Sequence, residues 1–351
     1  MIAHPSAIRQ DHPIAASYGG DEAGLICGYL FDAAADQPVR SLDSAQAAER
    51  LGDWNSSNPD AYLWLHFNFS HAQAERWVQR HAGLPDAFFE SLHSGLASTR
   101  IEQADDMLIA VINDLHFEFN FDSSDISTMW IGVGAKLVVT ARTKPLRSVD
   151  ALRTAVKAGD APRSTTELLE HLLREQASAL VDIVRGVTAR IDDIEDDLLA
   201  GRREVKRARL GTLRRLLVRL QRLLAPEPAA LFRLLQSPPA WMDEADVDEL
   251  RGSTEEFSVV LRDMLSLQER IKLLQEEIAA SVNEDNNRSL FVLTVVTVLA
   301  LPINILAGMF GMNVGGIPFA DNKHGFWIVV AIVLGFTVVA GWLAFRRQRK
   351  R

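Results

Sequence analysis

Ser289-Leu290-Phe291-Val292-Leu293-Thr294-Val295-Val296-Thr297-Val298-Leu299-Ala300-Leu301-Pro302-Ile303-Asn304-Ile305-Leu306-Ala307-Gly308-Met309-Phe310 decides how this chain is read. No charged side chain occurs from Ser289 to Ala320. At 1.5 Å per residue the quoted run makes a helix roughly 33 Å long, enough to cross a bilayer. A second apolar run, Phe326 to Phe345, is long enough to return, and only a short link, 311–325, separates the two. The pair is expected to be a membrane hairpin. The chain ends Arg346-Arg347-Gln348-Arg349-Lys350-Arg351, whereas the link carries only Asp321, Lys323 and His324. The excess of basic residues places the C-terminus in the cytoplasm, and two crossings place the N-terminus there as well. Met1 to Ala16 holds Arg9, Asp11, His4 and two prolines where a signal peptide needs an apolar core, so the residues before the first span are expected to stay cytoplasmic.

Upstream of the first span the chain reads as one long helix. After Trp241 no proline occurs until Pro302, so a stalk helix is expected to pass directly into the membrane. Phe257, Val260, Met264, Leu267, Ile271, Leu274, Ile278 and Ser281 recur by three and four, as a bundle seam requires. A second, mostly polar face carries Arg262, Ser266, Glu269, Leu273, Glu276, Ala280, Asn283 and Asn287. Continued by the same period, it enters the span as Leu290, Thr294, Thr297, Leu301, Asn304 and Gly308. Polar side chains are expensive in hydrocarbon, so this face points to protein or water rather than lipid. One hairpin cannot enclose a wet path. Several copies around a symmetry axis, first helix inside and second outside, can. Threonines bonded to their own backbone, and Asn304 acting as interhelical glue, are the plainer reading of the same residues.

The N-terminal part reads differently. Residues 1–20 lack periodicity and are expected to be a flexible tail, with His4 and His12 too sparse for a metal site. Strand signals recur at Gly24 to Phe31, Tyr62 to Phe69, Met107 to Ile112, His116 to Phe121, Ser127 to Val133 and Leu137 to Ala141. Helical spacing appears at Ser44 to Leu51, Ala72 to His81 and Asp86 to Leu92, the last opened by Leu84-Pro85. Residues 21–145 are therefore expected to form an α/β domain, the strands between 107 and 141 antiparallel through short turns. Residues 146–288 are expected to be helical. Thr166 to Ala200 ends in Asp192, Asp193, Glu195, Asp196 and Asp197, and Arg202 to Leu224 is strongly basic, so the two are expected to form a hairpin of opposite charge. Pro226, Pro228, Pro238 and Pro239 punctuate its end.

The net charge of −9 argues against nucleic acid as a partner and suits the collection of cations. The basic run 202–224 does not change this, because its arginines go round the helix without interleaved aromatics. The single cysteine, Cys27, excludes an internal disulfide and sits in a strand-like run with no CxxC or CxH partner. No Gly-rich phosphate loop, paired catalytic carboxylates or His-Cys arrangement supports an enzyme, and no bound cofactor is expected.

Gly311-Met312-Asn313 at the end of the first of two terminal spans, with Pro302 upstream and a basic tail, resembles the CorA superfamily of divalent-cation transporters. Val314-Gly315-Gly316-Ile317-Pro318 looks like its ZntB branch, and Thr99-Arg100-Ile101-Glu102 before a strand and Leu137 to Arg142 before a helical region extend the likeness thinly upstream. The resemblance implies an α+β membrane protein: a cytoplasmic α/β domain, a stalk helix and spans at 289–310 and 326–345 in a CorA-like funnel. It also implies five copies in the cell inner membrane, uptake of Zn2+ or another divalent cation, and proton coupling. The family's ion entrance corresponds to Gly311, Met312 and Asn313. Leu290, Leu293 and Leu301 match its apolar gate, and Asn283, Asn287, Thr294, Thr297, Asn304 and Gly308 complete the expected pore lining. Pro318 is followed by Phe319 where many magnesium members carry Pro-Glu, leaving Asp321 and His324 as the cation-attracting groups of the link. The span holds no His, Cys, Asp or Glu, so a zinc path there carries a largely hydrated ion and has no titratable group to relay a proton. A CorA-type Mg2+, Co2+ or Ni2+ channel, and a membrane-anchored scaffold, are the alternatives.

Overall fold

The computed structural model describes residues 20–53, 61–94, 99–117, 125–200, 206–312 and 323–348. The chain divides into two compact units, Met1–Lys272 and Leu273–Arg351.

The first unit is built on a seven-stranded sheet. Its strands are β1 (Leu25–Phe31), β2 (Val39–Leu42), β3 (Tyr62–Asn68), β4 (Arg100–Ala104), β5 (Met107–Leu115), β6 (Ile126–Val133) and β7 (Leu137–Arg142), in the order β2-β1-β3-β7-β6-β5-β4. Among the described residues only the β3–β7 pair is parallel, with Leu65 opposite Val139. The pairs β5–β6 and β6–β7 are antiparallel, as the short turns of the sequence indicate. Around the sheet lie α1 (Ser44–Gly52), α2 (Ala74–His81), α3 (Asp86–His93), α4 (Arg147–Lys157), α5 (Thr165–Leu199), α6 (Lys206–Leu224) and α7 (Pro226–Leu234).

Period-two alternation decides which face each side chain joins. Tyr62 and Trp64 of β3 enter a core shared with Val149 and Leu152 of α4, Leu168 and Leu172 of α5, and Leu231 of α7. Leu65 and Phe67 of the same strand enter a second core with Ala47 of α1, Ala74 and Val78 of α2, and Phe88 of α3. Helices thus cover both faces, which is why β3 is buried almost throughout. The change from strands to helices near residue 145 is not a break in the core, because α4, α5 and α7 pack on the sheet itself.

Four details differ from the sequence reading. A single strand, β5, continues to Leu115, and His116 makes an isolated bridge to Leu146; most of the strand expected from 116 to 121 falls on residues 118–124, which lie outside the described residues. The edge strands β2 and β4 are additional, and Arg100-Ile101-Glu102 is itself β4. Both are short and partly exposed, so they lack the apolar run that marks an interior strand. Pro226 and Pro228 open α7, because a helix's first turn tolerates residues without an N–H. Finally, the acidic end of α5 has a partner outside the basic run, Arg270, which contacts Asp192 at 2.7 Å and also holds Glu195, while residues 201–205 at the start of that run lie outside the described residues.

Arg270 belongs to α8 (Glu244–Phe310), a 67-residue helix that passes from the first unit into the second. The expected seam is buried: Phe257, Val260, Met264, Leu267, Ile271, Leu274 and Ile278, while Ser281 is half-buried. Gln268 donates to Gln221 of α6 at 2.6 Å, fixing the register of those two helices. The second unit holds the rest of α8 and α9 (Gly325–Gln348).

Candidate ion path

Two helices of the second unit are long and apolar enough to cross a membrane, in α8 and in Gly325–Trp342 of α9. Their large apolar residues are exposed rather than packed: Leu290, Leu293 and Leu301 on α8, and Val338, Val339 and Trp342 on α9. Exposed apolar faces of this extent suit an apolar surrounding.

The expected pore face lies on one side of α8. Asn283, Asn287, Leu290, Thr294, Thr297, Leu301, Asn304 and Gly308 are all exposed within one chain, as is Leu293 beside them. The threonines behave as the plainer reading requires: Thr294 donates to the Leu290 carbonyl at 2.7 Å and Thr297 to the Leu293 carbonyl at 2.9 Å. Their protons are therefore used within the helix, and what each presents outward is an acceptor oxygen. Helix α8 continues through Pro302, which lacks the N–H that would bond the Val298 carbonyl.

Beyond Phe310 the helix closes with a turn. The Gly311 N–H reaches the Ala307 carbonyl at 3.0 Å, and the Met312 N–H reaches the Met309 carbonyl at 3.4 Å. A Cβ on residue 311 would stand 3.2 Å from the Ala307 oxygen, so the turn favours glycine through close approach. Asn313 and Asp321 lie outside the described residues. His324 is exposed, and its carbonyl accepts from the Ile328 N–H at 3.1 Å, opening α9.

Aromatic anchors went unread in the sequence. Phe326 and Trp327 are exposed at the start of α9, and Trp342 is exposed near its end, with the Arg346 guanidinium 4.8 Å from its ring centre. Amphipathic rings at both ends of a span suit the two membrane interfaces. The signal was available in the spacing of Trp327 and Trp342.

Among the described residues no group of three or more His, Cys, Asp or Glu side chains is placed to hold a metal. Burial pushes the Cys27 thiol up to about 12, which keeps it neutral and a poor ligand. Acidic residues near the first span, Glu276, Glu277, Glu284 and Asp285, are exposed on α8.

A mixed sheet covered by helices, one long helix and a two-span C-terminal unit define the class, and the family model described as CorA-like Mg2+ transporter protein matches residues 59–347. The chain belongs to that family and is a transporter of divalent cations, not an enzyme. It is 27% identical over 332 residues to the divalent cation transporter CmaX of Pseudomonas aeruginosa, covering 94% of this chain and 98% of that one. It is 26% identical over 302 residues to the zinc transport protein ZntB of Yersinia enterocolitica, covering 83% and 91%. Among solved structures, full-length CmaX superposes with a TM-score of 0.76 at 26% identity over 94% of this chain and 99% of that one. The CorA magnesium transporter of Methanocaldococcus jannaschii shares the fold, with a TM-score of 0.73 at 20% identity over 91% and 97%.

Proposed function

We propose that this chain assembles as a homopentamer in the cell inner membrane, both termini cytoplasmic, and takes up Zn2+ through a path lined by the first span. The observation that carries this reading is the polar face of α8, exposed in one chain from Asn283 through Gly308 and ending at the Gly311 turn. Such a face needs other copies to be enclosed. Gly311, Met312 and Asn313 form the entrance, where neutral carbonyl oxygens bond the waters of a hydrated dication without removing them. Leu290, Leu293 and Leu301 form apolar rings that close by dewetting, and Asn283, Asn287, Thr294, Thr297, Asn304 and Gly308 line the wetted remainder. Asp321 and His324 attract the cation outside. The relatives named zinc transport protein support zinc as cargo. The family description supports magnesium as the second reading.

Flux into proteoliposomes tests both. Asn313→Ala should abolish Zn2+ entry while the oligomer's mass, measured in detergent, stays unchanged. Undiminished flux removes the filter assignment, a monomer removes the pore, and the absence of wild-type metal flux leaves a membrane-anchored scaffold. Competition among Zn2+, Mg2+, Co2+ and Ni2+ under imposed pH gradients separates the cargo readings and reveals any proton coupling.

A further inference from the structure

Two carboxyl groups are buried near one another in the first unit, and their surroundings differ. Asp114 at the end of β5 is 1% exposed. One of its oxygens accepts from the Leu115 N–H at 2.7 Å; the other accepts from the Ser148 N–H at 3.1 Å and the Ser148 hydroxyl at 2.5 Å. These donors, from the end of β5 and the start of α4, suit an ionised carboxylate.

Glu227 is fully buried in the first turn of α7. It is flanked by Pro226 and Pro228, neither of which has an N–H, so the helix N-terminus offers few of the donors that would welcome a negative charge. One carboxylate oxygen, Oε2, accepts from the Gln176 side-chain amide of α5 at 3.2 Å. The other, Oε1, is buried with no hydrogen-bond partner, and so is the Gln176 amide oxygen. Reversing that amide does not help. Its nitrogen also donates to the Asn113 carbonyl at 2.8 Å, and a carbonyl facing the amide oxygen would be repelled. Two buried acceptors facing no donor are costly. A single proton on Glu227 satisfies both, because a carboxylic acid and a primary amide bond reciprocally: amide N–H to carboxyl oxygen, and carboxyl O–H to amide oxygen.

We propose that Glu227 is a proton-binding site, its carboxylic acid and the Gln176 amide forming a reciprocal pair that makes the seating of α7 against α5 and β5 sensitive to pH. Burial pushes the Glu227 carboxyl up to about 8, against the lowering effect of the Gln176 hydrogen bond, and the negative charge of Asp114 on β5 adds to the rise. Among the described residues Asp114 supplies the charge that acts on it; Gln176 of α5 is neutral. Asp114 itself is raised to about 6 by burial, with Ser148 and Arg147 of α4 opposing, so near neutral pH it takes the charge and Glu227 the proton. The same joint is held from the sheet side. The Thr99 hydroxyl donates to the Leu223 carbonyl at 2.9 Å, at the end of α6, and the Asn113 amide approaches the same oxygen at 3.5 Å. Loss of the Glu227 proton would place a second charge beside Asp114 and unseat the α6–α7 joint. This inference is independent of which ion the spans carry.

Because the folded carboxyl titrates near pH 8 and an unfolded one near 4.5, the folded state holds the extra proton between those values. Its contribution to stability is full below about pH 4.5, declines as pH rises through the window, and is level above about 8. The test uses the full chain in detergent. Glu227→Gln supplies a neutral amide that donates to the Gln176 oxygen and accepts from its N–H at any pH. The variant's unfolding temperature relative to wild type should therefore climb from pH 5 to 8 and then stay constant. A difference that is the same at every pH overturns the proposal, since Glu227 would then be ionised throughout and held by something other than a proton. Infrared titration of the wild type gives a second reading that does not require the variant to fold. A protonated-carboxyl band should persist at pH 7 and vanish above about pH 8; its absence at pH 7 also overturns the assignment.

Discussion

The two units of this chain differ in how far their polar side chains reach for partners. In the first unit several buried polar groups find partners on distant elements, although buried Thr254 and Ser91 bond carbonyls of their own helices. Thr140 of β7 accepts from the Trp64 indole at 3.0 Å and contacts the His66 ring at 2.8 Å, both on β3. In the second unit the threonine hydroxyls bond within their own helix: Thr294, Thr297 and Thr337 each donate to the carbonyl four residues earlier. The first unit is thus specified largely by long-range burial, whereas each span bonds its backbone within its own helix, the Val298 carbonyl opposite Pro302 excepted, and leaves its side chains for surroundings that one chain does not supply.

Three measurements break or sharpen this contrast. Trp64 is fully buried, and Trp64→Ala removes its packing and leaves Thr140 short of a donor. Thermal or urea unfolding of the first unit should show a loss of about 3–5 kcal/mol. A wild-type-like transition would mean that the sheet core is not the stabilising element.

The intermediate effect depends on pH. Arg142 can only donate, so its 3.0 Å bond to His66 Nε2 requires a neutral imidazole whose proton lies on Nδ1, toward Thr140. Burial, then the charge of Arg142, holds His66 well below the ordinary histidine range. Below about pH 6.5 the unfolded chain takes up a proton that the folded one refuses, so the contribution of His66 to stability should fall by about 1.4 kcal/mol per pH unit on the acid side, opposite in sign to that of Glu227. His66→Gln should shift the slope of the urea midpoint between about pH 7.5 and 5.5 toward greater stability at the acid end relative to wild type. An unchanged slope would return His66 to the status of an ordinary titrating group.

The smallest effect is expected in the span. Thr337→Val deletes a hydroxyl that serves only its own helix, at 2.8 Å from the Val333 carbonyl. The unfolding temperature should move by no more than about 0.5 kcal/mol equivalent. A large loss would show that this hydroxyl serves another helix or another copy.

Much of the architecture was legible because it is local. The spans follow from an uncharged run of fixed length, and the buried seam of α8 from recurrence by three and four. The interior strands announced themselves by apolar content. Edge strands β2 and β4 did not, because half of each faces solvent and the pairing that defines them lies in a neighbour's register. The charge of α5's acidic end was visible, but its partner was not: Arg270 lies 75 residues from Glu195. Of the proposed ion path, the face of α8 and the Gly311 turn could be placed on the helix; Asn313 and Asp321 lie outside the described residues.

The sequence by itself determined the two spans, the continuous stalk and the family likeness at Gly311-Met312-Asn313, because chain length, apolar content and short motifs depend on neighbours in the chain. Only the tertiary structure decided that two buried carboxyls, Asp114 and Glu227, meet different company. Whether an oxygen has donors around it depends on elements that fold together across long separations, such as the 51 residues between Gln176 and Glu227 and the 124 between Thr99 and Leu223. A carboxyl's charge is set by that company, and no local pattern in the chain encodes it.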